Sequence, residues 1–402
     1  MKTKMLGLLA IAGMLLATSC SQDMTDTHLP SNDLVDVFFS VGLEGAVGTR
    51  ATRVDGTSTR ISDGTRATEL YFAIYDKNDK SFIFTPQIDE SSVDAEPLLL
   101  QGKDGEGYYK VKMIKYPFTF SCQLVKGMDY QIVFWAQSND AEYYDLKDFP
   151  FVEVKYKDAN GDPYTNNDEM RDAFSVSYPI KAGSTATSHD IVLTRPLSQI
   201  NVGMTEEAWE KFVGTGTEVA EAEIQKLTSS MIISNAATKF NVRQNCVVKN
   251  DITGDITYQA QQIPFSLTEL NGVNVPEEYR YLYVDTDFNA GTPDDTDEDE
   301  DYRKGCDKFR WMSMCYILAD DEIKEKEDET YGTVIDRLEI NICDKLKSAL
   351  ENVPVKRNYR TNILFDEGWW ADMQLVIKLD RAYDDSDYNG YDEDGKYKEI
   401  EN

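Results

Sequence analysis

The 402-residue chain carries 72 acidic against 41 basic side chains, a formal net charge of −31. A field of that sign repels nucleic-acid phosphates and anionic lipid headgroups, which excludes both as partners of the folded surface. Its two histidines, His28 and His189, leave little material for acid–base or metal chemistry at neutral pH, and no cofactor is expected.

Lys2 and Lys4 are followed by an apolar run too short to cross a bilayer comfortably, and small residues then lead to Cys20. This order of regions resembles a lipoprotein signal peptide over residues 1–19, with "LATSC" as the lipobox and Cys20 as the acylated residue. The lipid on Cys20 is then the one expected attachment to an outer membrane. Asp23 and Asp26 resemble the acidic surface-export signal of Bacteroidales lipoproteins. The remaining Cys122, Cys246, Cys306, Cys315 and Cys343 are odd in number and match no zinc spacing. They read as small buried hydrophobes rather than a disulfide framework.

Residues 20–33 read as a polar tether. Over 34–43, Val35, Val37, Phe39, Val41 and Leu43 alternate with Asp36, Phe38, Ser40 and Gly42, the period of a strand with one face to bury. The next stretch threads Arg50, Arg53, Arg60 and Arg66 through Gly, Thr and Ser, as an exposed loop that proteases nick. From 67 to 195, runs such as "TELYFAIYD", "FTFSCQLV" and "DYQIVFWAQ" are separated by turn residues, including Asn160-Gly161. Pro196, inside "HDIVLTRPLSQINV", should break its strand and mark the passage to a second domain.

Residues 196–380 continue in short strands, with helices expected over 205–213 and 343–352 and an acidic exposed loop in "DTDFNAGTPDDTDEDEDYRKG". At the end, Met373, Leu375, Ile377 and Leu379 repeat the one-faced alternation of the first strand. Residues 381–402 form a tail rich in Tyr, Asp and Gly that holds no fold by itself. The architecture implied is all-β, two sandwiches in tandem with a few short helices.

No phosphate loop, nucleophile elbow or zinc-protease helix is present, and a non-enzymatic protein is expected. His189, beside Asp190 at a strand start, reads as a turn residue rather than a base. Asp385, Asp387, Asn389 and Gly390 mimic the start of a calcium loop, but Lys396 stands where a bidentate Glu is required. Asp158, Asn160, Asp162 and Glu169 make a second near match, spoiled by Pro163 where the loop needs Gly, so both read as solvated turns.

Three stretches, "ISDGTRATELYFAIYD" (61–76), "DIVLTRPLSQINV" (190–202) and "NVPVKRNYRTNIL" (352–364), resemble the fimbrillin-like lipoproteins of Bacteroidales type V pili. The resemblance implies two transthyretin-like sandwich domains and a precursor that becomes a subunit of a cell-surface fimbrium serving adhesion. It further implies that an arginine-specific surface protease cuts the loop, Arg50 and Arg53 being nearest the first strand. The strand of Val35, Val37, Phe39, Val41 and Leu43 is then lost. A C-terminal strand of a neighbouring pilin subunit, carrying Met373, Leu375, Ile377 and Leu379, takes the vacated groove. Two other readings stay open at this point: a pilus anchor that keeps its lipid and first strand, and a monomeric surface lipoprotein that binds a glycan or protein ligand through Trp369 or Trp370.

Overall fold

The computed structural model describes residues 33–43, 66–76, 81–82, 84–93, 96–102, 107–139, 142–214, 227–248, 258–267, 280–284, 307–319, 324–326, 329–331, 333–365 and 375–381. In the first half the strands are β1 (Leu34–Leu43), β2 (Glu69–Asp76), β3 (Ser81–Phe82), β4 (Gln87–Ile88), β5 (Leu98–Gln101), β6 (Gly107–Lys112), β7 (Phe118–Val125), β8 (Asp129–Gln137), β9 (Tyr144–Asp145), β10 (Phe151–Val154), β11 (Ala173–Lys181) and β12 (Thr187–Leu193). An outer sheet in the order β12-β1-β7-β4 faces an inner sheet in the order β11-β8-β2-β6-β5, with β3 beside β2. Alternate residues of β1 and β7 meet Leu70, Phe72 and Ile74 of β2 and Ile132 and Phe134 of β8 in one apolar core. This is a sandwich built, as the period-two pattern requires, from β-branched and aromatic side chains.

The second half comprises β13 (Leu197–Met204), α1 (Glu206–Val213), β14 (Ser229–Ala237), β15 (Lys239–Asn241), β16 (Cys246–Val247), β17 (Tyr258–Phe265), β18 (Tyr281–Val284), β19 (Asp307–Leu318), β20 (Lys324–Lys326), β21 (Glu329–Tyr331), β22 (Thr333–Ile342), β23 (Leu346–Val355), β24 (Tyr359–Phe365) and β25 (Leu375–Arg381). Two leaves, β17-β14-β22-β23 and β18-β19-β13-β24-β25, join through the single pair Ala237 and Leu318. Thr205 caps α1 by accepting the Ala208 N–H, which places the helix as expected.

The helix expected over 343–352 is instead the turn and strand of a hairpin. Cys343 and Asp344 both hold positive φ, 53° and 54°, and Lys345 N–H donates to Ile342 O at 3.0 Å, which is a type I′ turn. From there Leu346, Ser348 and Leu350 are buried while Lys347, Ala349 and Glu351 are exposed. Leu346, Leu350 and Val353 also fit a helical stripe, and pairing along the whole of β22 decides for the strand.

The two sandwiches are not separate bodies. The outer side of the inner sheet, with Tyr71, Tyr75, Val133 and Trp135, is covered by β9, β10 and β15, and its core runs on into that of the second half. Strand β10 pairs with β15 at Val152 and Phe240, so a segment of the second half completes the cover of the first. For this reason "ELYFAIYD" shows no alternation: β2 is buried on both faces up to Tyr75. The passage between halves lies at Thr194–Pro196, where Arg195 is buried, bonded to Asp172 through Nε at 2.9 and 3.0 Å and through Nη2 at 2.8 Å, and stacked over Phe174. Replacing one partner leaves a charge stranded in the core. Asp172→Asn should therefore cost about 3–5 kcal/mol in urea unfolding, and a loss under about 1 kcal/mol would show the pair to be dispensable.

Candidate functional site

Strand β1 lies in the middle of a sheet although it stands at the N-terminal end of the described chain. It runs antiparallel to β7, with Val37 opposite Cys122 and Phe39 opposite Phe120. On its other side it runs parallel to β12, with Phe39 opposite His189 and Val41 opposite Ile191. Val35, Val37, Phe39, Val41 and Leu43 are all buried, as their alternation foretold, while Phe38 on the other face is 48 % exposed. Transfer of five such side chains from water is worth about 10 kcal/mol as an upper figure.

The floor under β1 is aromatic. Phe39 stacks on Phe120 at 4.7 Å, and Phe72 of the facing sheet gathers Phe84, Tyr109, Phe118, Phe120 and Phe134 at 5.0–6.2 Å. His189, expected in a turn, sits inside β12, stacked on Phe39 at 5.8 Å and within hydrogen-bond reach of the Tyr178 and Thr187 hydroxyls. Cys122 is a free thiol roofed by β1. Burial, with a smaller contribution from the Asp36 charge, pushes that thiol up to about 12. Withdrawal of β1 therefore uncovers a trough between β7 and β12 that is lined with rings and aliphatic side chains and offers unpaired backbone on both walls.

The second half repeats this scheme. Strand β13 runs parallel to β24 and antiparallel to β19, which pairs with β18, as β1 does with β12 and β7, and β7 with β4. Here the slot is fixed by polar side chains: Arg360 Nε donates to Gln199 Oε1 at 2.9 Å, Asn201 Nδ2 to Asn362 Oδ1 at 2.8 Å, and Trp311 Nε1 to Asn201 Oδ1 at 3.2 Å. The stretches "RPLSQINV" and "RNYRTNI" are thus the two halves of one parallel pair, Gln199 beside Arg360 and Asn201 beside Asn362. No such lock crosses from β1 to β12, whose facing side chains on the core side are apolar apart from His189 and Thr187.

Strand β25 pairs antiparallel with β24 at the sheet edge, with Leu375, Ile377 and Leu379 opposite Phe365, Ile363 and Thr361. Met373, Cys20, Arg50, Arg53 and Arg60 lie outside the described residues, as do Trp369, Trp370 and Cys306. Arg66 is exposed in a turn immediately before β2. The near match to a calcium loop at 158–162 is closed on itself: the Asp158 carboxylate accepts the backbone N–H of Asn160 and of Asp162 at 2.8 and 2.9 Å, which holds its pKa below the usual range. Among the described residues no group of three or more His, Cys, Asp or Glu side chains is placed to hold a metal. No described helix is long and apolar enough to cross a membrane.

Fold and site together define an all-β protein of two fused sandwiches whose first strand fills the middle of a sheet. The chain belongs to the family of unknown function DUF6562, whose sequence model matches residues 34–398. Comparison with curated proteins finds no match. Among solved structures, similarity is found to the tip fimbrial protein Mfa3 of Porphyromonas gingivalis, at 10 % identity and a TM-score of 0.38 over 86 % of this chain and 99 % of that one. The fimbrial anchor protein Mfa2 of the same organism matches at 8 % identity and a TM-score of 0.34, over 87 % and 100 % of the two chains. A fimbrial assembly protein from Parabacteroides distasonis matches at 10 % identity and 0.33, over 86 % and 98 %.

Proposed function

We propose that the protein is a non-enzymatic structural subunit of a cell-surface fimbria that serves adhesion. It is exported as a lipoprotein acylated at Cys20 and assembled by proteolytic loss of β1 followed by strand donation from another subunit. The observation that carries this reading is the place of β1: it is central in its sheet, yet one cut within residues 44–65 severs it from everything that follows. The donor is the segment of Met373, Leu375, Ile377 and Leu379, which has the same period, and whose described part, β25, pairs at the edge of its own sheet. An incoming strand satisfies both backbone walls and fills the trough with alternate side chains. The register we assign puts Met373, Leu375, Ile377 and Leu379 where Val37, Phe39, Val41 and Leu43 stood.

The test is digestion of the lipid-free precursor with an arginine-specific protease, followed by intact mass and a gel run without boiling. A cut in the loop, loss of residues 34–43 and a heat-sensitive ladder are the expected result. A cut chain that keeps 34–43 bound and stays monomeric would sink the proposal and favour an anchor or a ligand-binding lipoprotein.

A further inference from the structure

Arg66 is the one arginine of the loop among the described residues, and the backbone that follows it is unlike an open nicking site. Its side chain is exposed, but Ala67 is only 2 % exposed and packs in the first core. The Ala67 carbonyl accepts the Tyr116 hydroxyl at 3.0 Å. Thr68 N–H donates back to Arg66 O at 2.8 Å, closing a three-residue turn on the very carbonyl a protease must attack. The Thr68 hydroxyl donates to Asn139 Oδ1 at 2.6 Å, and its carbonyl accepts Ile114 N–H at 3.0 Å. Glu69 then opens β2, paired with Lys112 on one side and Gln137 on the other, its buried carboxylate 2.5 Å from Lys110 Nζ.

Proteases act on exposed, pliable backbone, and a bond inside folded structure is cut only from a locally opened state. Opening here means taking Ala67 out of the core, undoing the turn and releasing the first pairs of β2. We propose that Tyr116, Asn139 and Ile114 form a clasp around Ala67–Thr68 that shuts the Arg66–Ala67 bond to arginine-specific proteases and confines processing to bonds before it. The benefit is physical: β2 is buried on both faces, so an end that frays into it would open both cores, whereas a cut upstream frees β1 alone. The use of the clasp as a processing stop rests on the strand-exchange reading, while its existence does not.

The experiment is a timed digestion of the lipid-free precursor, native and in parallel unfolded in urea with the same arginine-specific protease, reading new N-termini by mass. Cleavage after Arg66 should be at least about 100-fold slower in the native chain than in the unfolded one. Tyr116→Phe with Thr68→Val should raise the native rate after Arg66 by about tenfold or more. A native chain beginning at Ala67 as early as any other fragment overturns the clasp, even if strand exchange then proceeds. An unchanged rate in a folded double variant overturns the assignment to these side chains. Should the variant not fold, the ratio of native to unfolded rates for the natural sequence decides alone. Retention of β1 with no Ala67 terminus sinks the exchange and leaves the clasp standing.

Discussion

Cys122 should resist alkylation at pH 8 in the intact precursor and react about 10³-fold faster once β1 has been withdrawn. The thiolate is the reactive form, and a thiol held at about 12 is ionised at roughly one part in ten thousand at that pH. An ordinary thiol near 8.5 is about one quarter ionised, before any gain from access is counted. The same shift has a stability consequence with a definite sign. Because the folded value is raised, the unfolded chain loses its proton first, so this contribution is complete below about pH 8.5 and is lost as pH rises toward 12. The other thiols among the described residues supply internal controls: Cys246 is half-exposed and labels throughout, while Cys315 and Cys343 are buried in the second half and stay protected. Docking of a donor strand should silence Cys122 again. Peptide-level mass spectrometry reads all four positions, and continued protection of Cys122 in a monomer that has lost residues 34–43 would show that no open trough forms.

Much of this arrangement is legible in the sequence, and the failures have physical causes. The alternation over 34–43 gives the buried set of β1 residue by residue, because a strand with one wet face leaves a period-two record. It gives no hint that β1 is central, since neighbours on either side are chosen by pairing over long separations, to 118–125 and to 187–193. The motif residues around Arg195, Asn201, Arg360 and Asn362 stand out in the chain, but their reason is tertiary: a joint at Asp172 and a parallel pair that only the fold brings together. "CDKLKSALEN" satisfies both periods, and nothing local marks Cys343-Asp344 as a type I′ turn. The fusion of the two sandwiches is likewise hidden, except in the lack of alternation along β2. A run buried on both faces points to a third layer.

In the assembly we propose, burial of β1 does not by itself forbid strand exchange, because the incoming strand would replace what the outgoing one gives up. Losing about 10 kcal/mol of apolar contact leaves the trough open only transiently, but a donor with the same period restores the contact as it enters. A single cut in the loop would convert β1 from a tethered strand, held at high effective concentration, into a peptide that competes on dilution. The slot under β13 cannot exchange in this way, because its strand is joined on both sides and pinned to β24 by Gln199 and Asn201.

Leu375→Asp with Ile377→Asp should abolish the heat-sensitive ladder while the precursor remains folded and is cut normally. In the trough each carboxylate would meet the ring-lined floor around Phe72, Phe118 and Phe120, where an unpaired charge costs several kcal/mol. Two such penalties exceed what the remaining positions return, so donation fails at any practical concentration. In the chain's own sandwich the two positions lie on an edge strand, opposite Phe365 and Ile363, so the thermal midpoint of the uncut chain is the necessary control. The period also supplies a contrast: Gln374→Asp with Val376→Asp places the charges on the alternate side, where β1 carries Asp36, Phe38 and Ser40, and polymers should persist. Ladders from the first variant would remove this strand as the donor. Loss of ladders from both would mean that charge anywhere on the segment blocks assembly, and that the register assigned to it is wrong.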